Sequence, residues 1–332
     1  MPETYKKLIA ESFSKNFRDV ATIVEAPVPT PNTNEILVKN IYAGVNATDV
    51  NIAAGLYTPG AKPPIDLGGE TIGEVVAVGE GVSHLSVGDY IVAISSGGYS
   101  EYLIHKASRV IQIPEPTPEY VSMILSGLTA SFGLYVTGKM TSNETVLVTA
   151  AAGGTGQYAV QLAKLAGNHV IGTCSTDDKA EFLKSLGCDR VINYKKEDFA
   201  NVIKSEYHNK LDIVYESVGK QMFDVAVKNL ATKGRMVIIG YITEYMDAKP
   251  ERLDDVRIYH RLLFKSASVR SMFFNHFIEY IPEHMMRLMG LYNDNKLQIE
   301  VDPTVFNGLE AAADAVEYLH SGQSKGKVVV TL

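Results

Sequence analysis

The run Val146-Leu147-Val148-Thr149-Ala150-Ala151-Ala152-Gly153-Gly154-Thr155-Gly156-Gln157 restricts the fold more than any other part of the chain. An apolar stretch that reads as a buried strand passes through small residues and glycines into 155–166, where the apolar spacing is helical. Small residues let a backbone approach a pyrophosphate closely, and the first N–H groups of a helix meet it with the positive end of the dipole. Ala151, Gly153 and Gly156 form Ala-x-Gly-x-x-Gly, a variant of the dinucleotide fingerprint. The run also heads a longer rhythm. Strand-like segments at 170–174, 190–192, 211–215 and 235–240 alternate with helix-like ones at 179–186 and 222–230. That alternation predicts a mostly parallel sheet with helices on both faces, and the near-continuous apolarity of the strands fits burial on both sides.

At 332 residues the chain is long enough for two domains. Before residue 118 the texture is β: 36–42 alternates, 71–78 is rich in valine and glycine, and 90–94 is short and branched. The expected division is a β-rich domain at 1–123, a dinucleotide domain at 124–270 and a tail at 271–332. The tail holds helices near 284–291 and 309–320 and a last strand at 327–331, and is expected to return to the first domain. A net charge of −7 without a basic block argues against nucleic acid as a partner. The longest apolar runs fall far short of the ~20 residues that cross a bilayer. The first residues carry no apolar stretch of secretory length. Two cysteines, Cys174 and Cys188, cannot build a disulfide framework, so a reducing compartment, the cytoplasm, is expected.

The choice of dinucleotide turns on the end of the second strand, Gly172-Thr173-Cys174-Ser175-Thr176. An NAD site usually places an acid there for the ribose hydroxyls. Here Ser175 and, on the next helix, Lys179 offer a donor and a positive charge to a 2′-phosphate, which points to NADPH. Asp177 and Asp178 read as first-turn acids of that helix, with Thr176 as its N-cap.

The pattern Asn143-Glu144-x-x-Leu147-x-x-x-Ala151-Ala152-Gly153-Gly154-x-Gly156-x-x-x-x-Gln161-x-x-Lys164 resembles the signature of the quinone oxidoreductase (ζ-crystallin) group of medium-chain dehydrogenase/reductases. Gly44-Val45-Asn46-x-x-Asp49, Gly68-Gly69-Glu70-x-x-Gly73-x-Val75 and Val87-Gly88-Asp89 resemble that superfamily's GroES-like domain. Gly172–Ser175, Tyr215-Glu216-Ser217-Val218-Gly219 and Lys265-Ser266-Ala267-Ser268-Val269 look closest to the prostaglandin reductases. The resemblance covers nearly the whole chain. It implies an α/β protein: a GroES-like β-rich catalytic domain joined to a Rossmann doubly wound cofactor domain.

The resemblance also assigns residues. Zinc members of the superfamily use a cysteine after Gly-Val and a histidine in Gly-His-Glu, and this chain has Asn46 and Gly69 there, so no metal is expected. Without a Lewis acid, the natural chemistry is hydride delivery to an activated C=C, helped by a hydrogen-bond donor at the carbonyl oxygen. Tyr245, closing the loop Ile239-Gly240-Tyr241-Ile242-Thr243-Glu244, matches a tyrosine that contacts the nicotinamide ribose and substrate oxygen. Tyr57 matches one facing the substrate cleft, and Asn46 is expected at the nicotinamide end. Cofactor contacts map onto Ala152, Gly153, Gly154, Thr155, Gly156, Ser175, Lys179, Tyr194, Ser217, Ile239, Tyr245, Phe273, Phe274, Asn275 and Ser324. Ser324 stands where prostaglandin reductases have asparagine. Met272, Phe273, Phe274, Met285, Met286 and Met289 either line a lipid-sized pocket or are plain core. The implied function is NADPH-dependent reduction of enones or enals such as 15-oxo-prostaglandins. A quinone reductase and a crystallin-like NADPH binder without turnover are the other readings. A small-molecule substrate and a homodimer are implied by the resemblance, as is a peroxisomal location as an alternative to the cytoplasm.

Overall fold

The computed structural model describes residues 2–57, 60–246 and 258–332. It divides into two units, Met1–Leu125 with Val301–Leu332, and Ser126–Glu300.

The first unit contains β1 (Thr4–Ala10), β2 (Ala21–Pro27), β3 (Glu35–Gly44), β4 (Ile65–Asp66), β5 (Glu70–Val78), β6 (Tyr90–Ile94), β7 (Tyr102–Lys106) and β8 (Ile111–Ile113). The long strand β3 organises it. β3 pairs antiparallel with β5, with β7 and with the returning strand Val329–Thr331, and the sheet continues through β6 to β8. β1 pairs with β2 and β4 in a small separate sheet. Alternate residues of the large sheet, among them Ile36, Val38, Val75, Ile91 and Ala93, turn to one side and form a closed apolar core with Leu85 and Ala107.

The second unit is built on β9 (Thr145–Val148), β10 (His169–Cys174), β11 (Arg190–Asn193), β12 (Leu211–Glu216), β13 (Leu230–Ile238) and β14 (Ser268–Ser271). All neighbours are parallel, in the order β11-β10-β9-β12-β13-β14. The order reverses at β9. Because parallel crossovers are right-handed, the connections of the two halves cover opposite faces of the sheet. The middle strands are mostly apolar, and Leu147, Ile171, Ile192, Val214 and Met236 share one core with the helices Phe199–Glu206 and Lys220–Lys228.

Three features depart from the sequence reading. The boundary expected after residue 270 lies after Glu300. Helix Gly156–Leu165 is buried on nearly every face, and its two glutamines find their partners in the segment after helix Ile281–Asn293. The Gln157 amide exchanges hydrogen bonds with the Glu300 backbone at 2.9 and 2.7 Å. Gln161 does the same with Gln298 at 2.8 Å each way. Each glutamine thus imitates a neighbouring strand, and only 301–332 belongs to the first unit.

Second, Pro118–Thr137 is one continuous helical run, long and apolar enough in composition to cross a membrane, yet 72% of its most apolar window is buried within the fold. Sequence reading overlooked it because serines, glycines and threonines interrupt its apolar residues. Third, the methionine and phenylalanine set is divided between core and surface. Met285 and Met272 are core, whereas Met286 is 75% exposed and Phe273 38%.

One buried group makes the first unit sensitive to acid. His105, on β7, is 8% exposed, its Nε2 meets no partner among the described residues, and burial lowers its pKa to about 4. A histidine depressed in the fold contributes stability that is fully present above its unfolded value near 6.5 and is lost as pH falls toward 4. We expect wild type to lose about 3 kcal/mol more than His105→Leu between pH 7 and 4. Urea unfolding across that range checks this, and parallel pH profiles would refute it.

Candidate functional site

In an open parallel sheet, ligands bind outside the carboxyl ends of the strands, where the order reverses. Here that point lies between β9 and β12. The turn after β9 is fixed by its own backbone: Ala150 takes a positive φ of 46°, the Ala151 N–H donates to Thr173 O at 3.0 Å, and the Gly153 N–H donates to Ala150 O at 3.0 Å. A Cβ on Gly156 would stand 2.4 Å from Ala150 O and 2.6 Å from Ala151 O, so the helix can begin there only without a side chain. Gly153 is different, since its Cβ would meet only Ala150 O at 3.3 Å. The amides of Thr155 and Gly156 open the helix and have no helical carbonyl behind them. A close backbone approach, small residues and a helix start make this turn fit a dinucleotide pyrophosphate.

The Thr155 hydroxyl does not face outward as a ligand contact. It donates to Ser126 O at 3.0 Å and accepts from the Tyr215 hydroxyl at 2.7 Å, so only its backbone is available to a ligand. Tyr215 is fully buried, and burial pushes its phenol well above the usual range. Across the switch point, Thr149 and Ser217 are tied together. The Ser217 N–H donates to Thr149 Oγ1 at 2.9 Å and its hydroxyl donates to Thr149 O at 3.2 Å.

The other residues of the second unit follow strand ends one by one. Ser175 follows β10, and Tyr194, 39% exposed, follows β11. Ser217 follows β12, Ile239 follows β13, and Phe273, Phe274 and Asn275 come just after β14. Lys179 is buried on helix Asp177–Ser185, and its charge acts on both Cys174 and Asp178, beside the end of β10. Thr176 stands at the N-cap of that helix, but its hydroxyl donates to the Asp178 carboxylate and caps no amide. The Thr176 hydroxyl lowers the pKa of Asp178, and the backbone N–H donors of the first turn add to that effect.

Tyr245 follows the short 3-10 turn Ile242–Glu244 and is 4% exposed. Its ring meets Tyr241 edge-on at 4.8 Å. Its hydroxyl lies over Gly240, where a Cβ would come within 2.7 Å of it. Glu216, the last residue of β12, is fully buried. Burial raises its pKa, against the opposing pull of the Gly219 and Val218 N–H groups. Sequence reading gave Glu216 no role, although a carboxylate closing an apolar strand was the signal.

In the first unit, Asn46 is not poised as a donor. Its Nδ2 donates to Glu70 Oε1 at 2.9 Å and to Gly44 O at 3.3 Å, and its Oδ1 accepts from Lys327 Nζ at 2.8 Å. Lys327 and Glu70, 2% and 0% exposed, pair at 2.5 Å, and Glu70 Oε2 accepts the Leu125 N–H at 3.0 Å. Gly44 is required here, because a Cβ would lie 2.2 Å from Glu70 Oε1. An amide and a carboxylate already saturated by an ammonium and a backbone N–H form no donor set for a divalent cation. Asp49 completes the cluster. It accepts from the Asn46 N–H at 2.9 Å and the Tyr99 hydroxyl at 2.7 Å, and burial pushes its pKa up to about 6 despite both. The signal for Lys327 was a lysine opening the valine run Val328-Val329-Val330. Tyr57 lies half-buried after helix Asp49–Ala53, and Ser324 half-buried after helix Ala312–His320.

Residues 32–115 match the alcohol dehydrogenase GroES-like domain, and 154–290 match the zinc-binding dehydrogenase family. Over 343 aligned positions the chain is 46% identical to prostaglandin reductase-3 of Mus musculus, covering all of this chain and 90% of that one. The chain belongs to the quinone-oxidoreductase group of the medium-chain dehydrogenase/reductases. A probable quinone oxidoreductase of Leishmania amazonensis is 42% identical, with 100% and 99% of the two chains covered. The structure of Escherichia coli quinone oxidoreductase complexed with NADPH superposes with a TM-score of 0.86 at 28% identity, over 98% of this chain and 100% of that one. The GroES-like and Rossmann architecture of the group is the one described above.

The geometry of the turn makes a direct prediction. Gly156→Ala should cost about 1–3 kcal/mol by overpacking against two backbone carbonyls, while Gly153→Ala should be nearly silent. Urea unfolding of the pair decides, and equal losses would mean that the close approach at Gly156 is not the constraint.

Proposed function

We propose that this protein is an NADPH-dependent reductase of activated C=C bonds in α,β-unsaturated ketones and aldehydes, with oxo-lipids of the 15-oxo-prostaglandin kind as its substrate class. The observation that carries this reading is the row of loops at the carboxyl ends of one parallel sheet, from the Gly156 turn to Asn275, in a chain 46% identical over its full length to a prostaglandin reductase. The substrate is a small molecule.

When bound, NADPH supplies the hydride. The chain's part is to hold and orient. The Thr155 and Gly156 amides serve the pyrophosphate. Ser175, Lys179 and Tyr194, after neighbouring strands β10 and β11, serve the 2′-phosphate end. Ser217, Ile239, Phe273, Phe274, Asn275 and Ser324 are assigned to the remaining length of the dinucleotide. The Tyr245 hydroxyl donates to the substrate carbonyl oxygen, where negative charge collects as the double bond is reduced. One preorganised donor of this kind contributes roughly 2.7–4 kcal/mol. Tyr57 is assigned to the substrate side. Asn46, the remaining candidate, has its amide spent on Gly44, Glu70 and Lys327.

A second reading, hydride transfer to a quinone, is favoured by the full-length likeness to the Leishmania protein. The proposed assembly is a homodimer. β14 closes the sheet with one edge unpaired among the described strands, and Tyr259, Leu263 and Phe264, just before it, are 65, 74 and 88% exposed. The free, buried thiols of Cys174 and Cys188 support a reducing compartment, the cytoplasm or the peroxisome.

Turnover of enones, enals and quinones with NADPH or NADH tests the reading. Tyr245→Phe should lower enone kcat about 10²-fold with little change in NADPH affinity, and Lys179→Ala should erode the preference for NADPH. Oxidation of NADPH by quinones alone would select the second reading, and binding without oxidation by any of them would leave a nucleotide-binding protein. Sedimentation should show a dimer that Phe264→Asp dissociates, and a monomeric wild type would reject the assembly.

A further inference from the structure

The loops that follow β12 and β13 hang from one side chain. Glu216 Oε1 accepts two backbone N–H groups, those of Val218 at 2.8 Å and Gly219 at 2.6 Å. This fixes the turn Ser217-Val218-Gly219, and the carbonyls of that turn are taken up in order by the next loop. The Ile242 N–H donates to Ser217 O at 3.0 Å. The Thr243 N–H and hydroxyl both donate to Val218 O, at 3.2 and 2.6 Å. The Glu216 carbonyl itself accepts from the Ile239 N–H at 2.7 Å. Tyr245 stands two residues beyond Thr243, its N–H directed to Ile242 O at 3.3 Å. An unbroken series of hydrogen bonds therefore runs from a buried carboxylate, through a turn, to the loop that carries Tyr245.

A carboxyl is an expensive way to end an apolar strand. Glu216 is 0% exposed, and desolvation works against its charge. A leucine there would avoid that cost and leave the half-buried Val218 amide and the buried Gly219 amide without this acceptor. The compensation is specific to the turn.

We propose that Glu216 is the positioning residue of Tyr245: by clasping the Ser217–Gly219 turn it sets the register of the 241–245 loop and so the place of the Tyr245 hydroxyl over Gly240. This rests on the role given to Tyr245 above. The device needs an acceptor of this length and direction, and a glutamine oxygen supplies one without charge.

The test pairs hydrogen exchange with a double-mutant cycle. Glu216→Ala should speed exchange in peptides spanning both 217–219 and 240–246, and lower enone kcat about ten- to a hundredfold. Glu216→Gln should restore both. In a Tyr245→Phe background, Glu216→Ala should lower kcat less than about twofold, because the group it positions is already gone. Thr243→Val, at an exposed side chain downstream of the clasp, should loosen 240–246 alone. It carries the test, together with the glutamine variant, if the alanine variant does not fold. Unchanged exchange in 240–246, failure of glutamine to rescue, or full additivity with Tyr245→Phe would each overturn the proposal. Faster loop exchange alongside wild-type turnover of Tyr245→Phe would uphold the clasp and remove Tyr245 from catalysis.

Discussion

The start of helix Gly156–Leu165 sits against the carbonyls of Ala150 and Ala151 at a distance no side chain permits. Much of the second unit follows from that contact. A helix drawn so close to the end of β9 is covered on nearly every face, so the polar residues it carries must find partners inside the protein. Gln157 and Gln161 find them in the backbone of 298–300, and this pulls a segment well past the last strand into the same unit. The same burial turns the Thr155 hydroxyl inward to Tyr215 and Ser126 and leaves the backbone to face a ligand.

The first unit answers a different demand. Glu70 and Lys327 are both out of water, and such a pair adds little net stability while making the loss of either partner costly, about 3–5 kcal/mol. Its value lies in specificity. Lys327 belongs to the segment 301–332 and Glu70 to β5, so satisfying the ammonium fixes where the end of the chain returns. Asn46 completes the arrangement and is thereby taken out of the role its sequence position suggested. The carboxyls of Asp49 and Glu216 show the same logic in the two units: each is held in an unfavourable medium by backbone or hydroxyl donors that would otherwise lack an acceptor.

Local order was largely legible in the residues. β9 to β12 run close to the expected segments, because strands buried on both faces are mostly apolar and short, whereas β13 begins at Leu230, five residues before the expected strand. The glycine turn was legible because only one residue type fits it. Less was legible where composition is mixed or partners are distant. Helix Pro118–Thr137 was hidden by its small polar residues, and the unit boundary by two glutamines whose partners lie far along the chain. The resemblance placed Ser175, Tyr194, Ser217, Ile239 and Phe273–Asn275, and each lies after the carboxyl end of a strand. It could not reveal that Thr155 and Asn46 spend their side chains internally.

The sequence by itself determined the alternation of elements and the dinucleotide turn, because these depend on residue type within short spans. The tertiary structure decided which polar atoms remain available. Whether Asn46 or Thr155 can face a ligand depends on Lys327 and Tyr215, which lie far along the chain, because a buried hydrogen-bonding group takes its partner from whatever the fold brings within about 3 Å.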